Sequence, residues 1–231
     1  MDITPLDIEL VRQDPHSNDC LRACALMVFK YFDDSTEKSD IWRKLHVYKK
    51  HSGLSGGYFS DLGILAISKN YNVTISHYAT HWWNKDVLQA AKKGDKALIK
   101  TLKELKKQKD WAGKKEIAKS ISYIKRGGKY KIAYPKLETI NELLIHRLPV
   151  IMNVQAENLY QEPKEKYSHS VVVTGKKSDK YIIRDPYLAV EEVDKDELYY
   201  AWVRNGGWMI MLYPKEKTEK VPAIKQPKLI F

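Results

Sequence analysis

Residues 19–24 read DCLRAC and contain both cysteines of the chain. The preceding stretch, VRQDPHSND, is rich in residues that form turns and cap helices, and the following stretch, ALMVFKYF, is apolar without a breaker. This order of signals predicts that a helix begins here. Its first turn would be capped by Ser17, Asn18 or Asp19, whose side chains can accept hydrogen bonds from the unpaired backbone N–H groups.

The predicted helix gives the two cysteines different environments. Cys20 falls in the first turn, where the exposed N–H groups and the helix dipole favour the thiolate, the nucleophilic form of cysteine. Cys24 is in phase with the apolar residues Met27, Val28 and Tyr31, and we expect it to be a small buried hydrophobic residue that stays protonated. Position alone leaves Cys20 open to either a structural or a catalytic role.

The bulk composition indicates a globular protein. The chain has 231 residues, enough for one sizeable core and a smaller appendage, and 43% of them are hydrophobic. No apolar run is long enough for a membrane span, and the N-terminus MDITPLDIELVRQ does not resemble a signal peptide. Two cysteines four residues apart on one helix cannot easily form a disulfide. We therefore expect a reducing, cytoplasmic setting.

The positive charge is concentrated in one segment. Between Lys92 and Lys131 there are 15 Lys and Arg against 4 Asp and Glu, an excess equal to the net charge of +11 for the whole chain. The rest of the sequence balances, so the charge belongs to a module and not to the fold at large. Such a segment is either a solvated helical face or a surface that binds an anionic partner, a nucleic acid or an acidic surface.

The order of predicted elements indicates an α+β fold. Helices come first, a basic helical hairpin follows, and strands dominate the C-terminal part. The predicted helices are one with Cys20 in its first turn that continues into ALMVFKYF, then 39–50, 60–69, a long one from 84, a shorter one ending at 126, and 139–147. The predicted strands are 70–78, 149–156, 169–175, 180–185 and 206–214. The predicted domains are 1–83 with 132–214 as the catalytic body, 84–131 as the inserted hairpin, and 215–231 as a flexible tail.

A nucleophilic thiol needs a base, a group that orients the base, and donors for the oxyanion. His169 opens a Val-rich strand after a polar loop, and Asp185 closes the next strand. If these strands form a hairpin, the two side chains share a face only if the loop has an odd length or a bulge lies in the KKSD region. Gln13, seven residues before Cys20, can donate a side-chain N–H to the oxyanion.

These residues resemble a known family. Q-x6-C followed by AC and Met, then PVIMNV, HSVVVTG and RDPY, resembles the papain-like cysteine peptidases of the bacteriocin leader-peptidase (double-glycine peptidase) type and their free-standing relatives. The resemblance implies a papain-like fold with Cys20 as nucleophile, His169 as base, Asp185 as orienting residue and Gln13 in the oxyanion hole. No cofactor or metal is implied. The family usually has Gly-Pro after its cysteine, where this chain has Leu21 and Arg22. Arg22 would then favour an acidic substrate group or face solvent.

Other candidate sites have weaker support. His77 and His81 have the i, i+4 spacing of a helical metal pair, but they follow a strand and lack a nearby third ligand, which favours packing over metal binding. Trp82 and Trp83 can line a groove, although anchoring the helix that follows is the commoner role of such residues. The glycines of HSGLSGG lack the Lys-Ser/Thr of a phosphate loop.

The sequence therefore predicts a cysteine hydrolase, most simply a peptidase that acts on a peptide or protein through a thioester acyl-enzyme. The same chemistry serves an acyltransferase, a deamidase or an isopeptidase, because only the acceptor or substrate differs. A rival of another class is a non-catalytic module that binds an anionic partner through residues 84–131.

Overall fold

The computed structural model describes residues 1–51, 54–78, 85–164 and 167–215. The helices in these ranges are α1 (Cys20–Tyr31), α2 (Lys38–Lys44), α3 (Phe59–Ser68), α4 (Lys85–Lys93), α5 (Asp95–Lys107), α6 (Trp111–Lys125), α7 (Leu137–Ile145), α8 (Ala156–Leu159) and α9 (Lys195–Arg204). The strands are β1 (Tyr48–His51), β2 (Leu54–Gly56), β3 (Tyr71–His77), β4 (Lys129–Ile132), β5 (Val150–Gln155), β6 (Ser168–Lys177), β7 (Lys180–Arg184), β8 (Glu192–Asp194) and β9 (Met209–Pro214).

Across the described ranges, seven strands form one sheet in the order β4-β3-β9-β5-β6-β7-β8, and β1 and β2 form a separate hairpin. The large sheet is antiparallel except where β3 pairs with β4. Its central strands are apolar on both sides: Val171, Val172 and Val173 of β6 are all buried. Such strands need cover on both faces, and helices supply it. The predicted α+β class is confirmed.

Helix α1 packs directly on β6 and carries the nucleophile candidate to the sheet. Its stripe of buried residues includes Cys24, Met27 and Val28, as the apolar phase predicts. Because β6 also carries His169, the contact between α1 and β6 fixes the distance between the two ends of the candidate site. Helix α3 covers β3 and β9, and α9 covers β5.

A β-bulge between β6 and β7 sets the geometry of the site. Near the two-residue turn the strands pair with Gly175 opposite Ile182, but beyond Thr174 the partner of Val173 is Ile183. Thr174 is thus an extra residue that shifts the register by one. A bulge is present, as one of the two predicted ways to bring His169 and Asp185 to one face. It lies just before the KKSD residues, so its predicted location is wrong.

The bulge decides on which face two side chains lie. With unbroken pairing from a two-residue turn, His169 and Asp185 would project from opposite faces of the sheet. The shift of one residue returns them to the same face, diagonally adjacent across the two strands.

The N-terminal segment lies beside this bulge. Ile3 exchanges two backbone hydrogen bonds with Lys176, at 2.8 and 3.0 Å, and the Leu6 N–H donates to the carbonyl oxygen of Thr174 at 2.9 Å. The segment passes so close to Gly175 that a Cβ there would come within 2.7 Å of the Pro5 Cα. Gly175 therefore accommodates a crossing of two backbones.

The basic segment contains more structure than the predicted hairpin. It forms three helices, α4, α5 and α6, and the strand β4. The predicted long helix is divided into α4 and α5, because Gly94 adopts a positive φ of 101° between them. The helical spacing of Ile117, Ile121 and Ile124 in the sequence indicates the inner face of α6, and all three are buried. The spacing in α4 indicates Leu88 and Ala91 as its inner face, but the buried residues there are Val87 and Ala90. The division at 84 and 131 stays a prediction.

Several short elements were not predicted: α8, α9, β1, β2, β4 and β8. Helix α2 ends at Lys44, and the rest of its predicted range leads into β1. Predictions for His81, Trp82 and Trp83, and for the tail from residue 216 onward, fall outside the described residues.

Candidate active site

Helix α1 begins at Cys20, as predicted, but its first turn is not capped by a side chain. Asp19 occupies the N-cap position, and its carboxylate instead accepts hydrogen bonds from Arg22 Nη1 at 2.9 Å and from Trp42 Nε1 at 3.3 Å. Ser17 Oγ accepts a bond from the Asp19 N–H at 3.4 Å, which closes the turn before the helix. The N–H groups of the first turn therefore remain available at Cys20.

Arg22 has a structural role that the sequence did not indicate. Besides Asp19, its guanidinium donates to the carbonyl oxygens of Leu45 and Trp42, each at 2.8 Å. These bonds tie the start of α1 to the end of α2. The predicted solvent-facing position is therefore wrong, and contact of Arg22 with an acidic substrate group stays a prediction.

The structure brings Cys20, His169 and Asp185 together. His169 Nε2 lies 2.7 Å from Asp185 Oδ1, and both side chains are buried, with 2% and 0% exposed. The His169 ring also lies close enough to the half-buried Cys20 thiol for the two groups to influence each other's pKa. Since Nε2 faces Asp185, Nδ1 is the ring nitrogen that serves the thiol.

The charges of the three groups support one another. Burial alone would raise the pKa of the Cys20 thiol, but the hydrogen bond with His169 and the charge of its ring lower the pKa below its usual value. Burial would lower the pKa of His169, and the hydrogen bonds with Asp185 and Cys20 raise it to about 9. A thiolate paired with an imidazolium is therefore favoured at neutral pH.

Asp185 is held as a carboxylate by several donors. Burial would raise its pKa, but the hydrogen bond and charge of His169, with further donors, lower it. The backbone N–H groups of Tyr187 and Leu188 donate to it at 2.9 and 3.1 Å, in the turn that follows β7. A carboxylate with this many donors stays ionised beside an imidazolium and can orient it.

Gln13 lies in the loop before α1, next to the residue that follows Asp185. Its backbone N–H donates to the carbonyl oxygen of Pro186 at 3.0 Å, and its side-chain Nε2 donates to the Ser17 carbonyl oxygen at 3.0 Å. No hydrogen bond within the described residues joins its side chain to Cys20. Nε2 carries two hydrogens, so one remains for an oxyanion.

Cys24 differs from Cys20 as predicted. It is 0% exposed, and its Sγ donates to the carbonyl oxygen of Ser170 at 3.2 Å. Burial raises the pKa of the Cys24 thiol well above its usual value, and a negative charge on Cys20 adds to this. Such a thiol is unreactive.

Two residues of the site were missed by sequence reasoning. The Tyr160 hydroxyl donates to both oxygens of Asp185, and Ser170 makes hydrogen bonds that lower the pKa of Cys20. Ser170 directly follows His169 in the HSVVVTG stretch, so its position beside the site could have been predicted from that motif. Tyr160 had no such signal, because it lies in a loop whose path the sequence pattern does not reveal.

Metal ligands do not cluster in the described part of the chain: nowhere in it do three or more His, Cys, Asp and Glu side chains come together to hold an ion. His77 is buried and stacks on Trp208 with ring centroids 3.7 Å apart, while its sequence partner His81 lies outside the described residues. None of the helices formed by the described residues has the length and apolar character needed to cross a membrane.

The sheet, the helix that starts at a cysteine and the adjoining histidine are features of the papain-like cysteine peptidases. A family comparison agrees: the model of the family described as "Peptidase_C39 like" matches residues 5–209. The chain belongs to this family and is a cysteine peptidase-like hydrolase. The resemblance to leader peptidases drawn from the sequence is confirmed.

Solved structures are similar to this chain at low sequence identity, and the first of them shares its fold. A C39-like peptidase from Bacillus anthracis has 14% identity and a TM-score of 0.54, over 93% of this chain and 98% of that one. A double glycine motif protease from an AMS/PCAT transporter, solved in complex with a leader peptide, has 13% identity, a TM-score of 0.48 and coverage of 93% and 98%. The peptidase domain of Streptococcus ComA has 15% identity, a TM-score of 0.48 and coverage of 90% and 99%. The comparison with curated proteins gives no match.

Proposed function

We propose that this protein cleaves a peptide or protein through a thioester acyl-enzyme on Cys20. His169 acts as the base and later as the acid, Asp185 orients the imidazole, and Gln13 donates to the oxyanion together with the Cys20 N–H. The observation that carries the proposal is the 2.7 Å bond from His169 to a buried Asp185, with the Cys20 thiol beside the same ring.

The reaction follows from this geometry. The Cys20 sulfur attacks the carbonyl carbon of the substrate, and the oxyanion that forms is met by N–H donors at the start of α1 and from Gln13. The imidazolium of His169 gives its proton to the leaving amine, which departs and leaves a thioester. His169, now neutral, takes a proton from water as the water attacks the thioester, and the thiolate is regenerated.

The test is to detect the covalent intermediate. The protein is offered a panel of acyl electrophiles and peptides, and adducts are located by intact-mass and peptide mass spectrometry. We expect an adduct on Cys20 that is absent in Cys20→Ala and His169→Ala and slower in Asp185→Asn. Gln13→Ala should lower the rate about a hundredfold to a thousandfold. Cys24→Ala is the matched control and should keep the adduct. An adduct on Cys24, or turnover by Cys20→Ala, would refute the assignment.

Three other reactions share the acyl-enzyme: acyl transfer, deamidation of a protein glutamine, and isopeptide cleavage. Product analysis distinguishes them, because each has its own acceptor or leaving group. A Cys20 that reacts no faster than an ordinary thiol would instead favour a binding module. Both cysteines are free, which is consistent with a reducing, cytoplasmic location.

A second function, binding of an anionic partner by residues 84–131, is supported by a pocket between α5 and α6. The pocket has a volume of about 660 Å³ and is lined by Lys103, Lys106, Lys107, Lys114, Ala118 and Ile121. Lys107 pairs with Glu104 at 2.7 Å, and no salt bridge within the described residues engages the other three lysines. Lysines above an apolar floor suit an acidic peptide with an apolar side chain better than the edges of nucleic-acid bases.

Binding to labelled polyglutamate and to a single-stranded oligonucleotide, measured by fluorescence anisotropy at two salt concentrations, tests this function. We expect binding that weakens with salt and is lost when Lys103, Lys106 and Lys114 are replaced by Gln. Replacing Lys176, Lys177 and Lys180 by Gln is the control with the same change of charge. Equal losses in the two triple variants would mean that binding follows net charge alone.

A further inference from the structure

We propose that Tyr160 is a positioning residue that acts through Asp185 to control the orientation and proton affinity of His169. This proposal rests on the proposed roles of Cys20, His169 and Asp185. The resemblance assigned no role to Tyr160, whose hydroxyl donates to Asp185 and acts on His169 through it.

The contacts of the hydroxyl are specific. Tyr160 Oη donates to Asp185 Oδ1 at 3.2 Å and to Oδ2 at 3.1 Å, so it lies nearly midway between the two oxygens. A donor in this position opposes rotation of the carboxylate about its Cβ–Cγ bond. Oδ1 therefore stays directed at His169 Nε2, 2.7 Å away.

The backbone holds Tyr160 in place from the other side. The residue directly follows the short helix α8 as its C-cap, and its N–H donates to the Ala156 carbonyl oxygen at 2.9 Å. Its ring lies 5.9 Å from the His169 ring and 6.3 Å from the Tyr187 ring. Burial, together with the adjacent Asp185 charge, raises the pKa of Tyr160 far above its usual range. The hydroxyl is thus a donor throughout the working pH range.

The hydroxyl also affects how tightly His169 holds its proton. The hydrogen of the Tyr160 O–H group points at Asp185, and its partial positive charge offsets part of the carboxylate charge that acts on His169. Without the hydroxyl, the buried carboxylate would attract the imidazolium proton more strongly. His169 would then release its proton at a higher pH and give it less readily to a leaving group.

The experiment measures alkylation of Cys20 by iodoacetate against pH, with the modified residue identified by mass spectrometry. The carboxylate of iodoacetate favours a thiolate beside an imidazolium, so the rate should form a bell whose alkaline limb lies near the His169 pKa of about 9. In Tyr160→Phe we expect the alkaline limb to move up by about half a pH unit. We also expect the rate at the maximum to fall about threefold to tenfold.

Tyr181→Phe is the matched control. It removes a tyrosine hydroxyl that donates to Asn141 Oδ1 at 2.8 Å, from the strand that leads to Asp185. The chemical change and the loss of one hydrogen bond are the same, but Asp185 keeps its donors. The pH profile of Tyr181→Phe should therefore match that of the unmodified protein.

The outcomes separate the two proposals. If unmodified Cys20 shows no bell and reacts like an ordinary thiol, the proposed function itself fails. If the bell is present but Tyr160→Phe leaves it in place, or Tyr181→Phe shifts it equally, the role of Tyr160 is overturned. Should Tyr160→Phe not fold, 3-fluorotyrosine at position 160 retains the ring and is a stronger donor. It should move the alkaline limb to lower pH, and an unmoved limb would overturn the proposal.

Discussion

Replacing Tyr123 tests how firmly the basic segment is joined to the body. The Tyr123 hydroxyl, at the inner face of α6, donates to the carbonyl oxygens of Val73 in β3 and Lys129 in β4, each at 3.0 Å. Its ring fills the space above Gly63 of α3 and above Gly128. A Cβ at those glycines would come within 2.5 and 2.2 Å of ring carbons. One side chain thus contacts α3, β3 and β4.

The cost of two substitutions follows from these contacts. Tyr123→Phe leaves a buried carbonyl group of Val73 and a partly buried one of Lys129 without their shared donor, which we expect to lower the free energy of unfolding by about 1–2 kcal/mol. Tyr123→Ala also empties the space of the ring and should cost about 3–5 kcal/mol. At about 2–4 °C per kcal/mol for a protein of this size, Tm should fall by about 2–8 °C and about 6–20 °C.

Thermal unfolding followed by calorimetry and circular dichroism measures both effects. Tyr31→Phe is the control, because its hydroxyl donates to the carbonyl oxygen of Arg147 at 3.1 Å on the surface, and its loss should cost less than about 0.5 kcal/mol. We expect one transition that moves as a whole. Two transitions, with Tyr123→Ala lowering only one of them, would contradict this reasoning and would support the predicted independent module of residues 84–131.

Three further changes have defined outcomes. Burial raises the pKa of Glu116 to about 8; the folded protein therefore holds a proton that the unfolded chain loses above about pH 4.5, and stability should fall as pH rises from about 4.5 to 8. Glu116→Gln removes this penalty, which is about 4 kcal/mol at pH 8, so its Tm should exceed that of the unmodified protein by about 9–17 °C at pH 8 and by only about 2–3 °C at pH 5; a difference independent of pH would contradict the assignment. Gly175→Ala should lower the free energy of unfolding in urea by about 1–3 kcal/mol, since its Cβ would come within 2.7 Å of the Pro5 Cα. An unchanged urea midpoint would mean that the N-terminal segment does not pack against Gly175. Arg22→Met should cost about 2–4 kcal/mol by the same assay, because it removes the guanidinium that donates to Asp19 Oδ1 and to two carbonyl groups, and a cost below about 1 kcal/mol would show that water replaces the guanidinium.

The helix that presents Cys20 and the alternating strands were predictable because each has a local signal. A run of turn residues before an apolar stretch marks the start of α1, and Val-rich alternation marks β6. The different burial of the two cysteines also followed from their positions in one helix. In each case residues that are neighbours in sequence determine the prediction, by their order or by their periodicity.

The elements that were missed depend on contacts distant in sequence. Strand β4 has four residues and forms because Thr74 to His77 offer it a partner, with which it pairs in parallel. Helix α9 carries exposed Tyr199 and Tyr200 on one side, which blurs its apolar stripe. Arg22 finds three acceptors only after α2 folds against α1. No local pattern reports such partners.

The bulge at Thr174 has a consequence for how related sequences can vary. His169 and Asp185 share a face only while the pairing between them keeps its present parity. A relative whose turn is longer or shorter by one residue must therefore lose the bulge or gain a second one. Insertions in this hairpin should occur two at a time, or singly together with a second change in the flanking strand. A sequence that breaks this rule and still contains both residues would place them on opposite sides of the sheet, where they cannot meet.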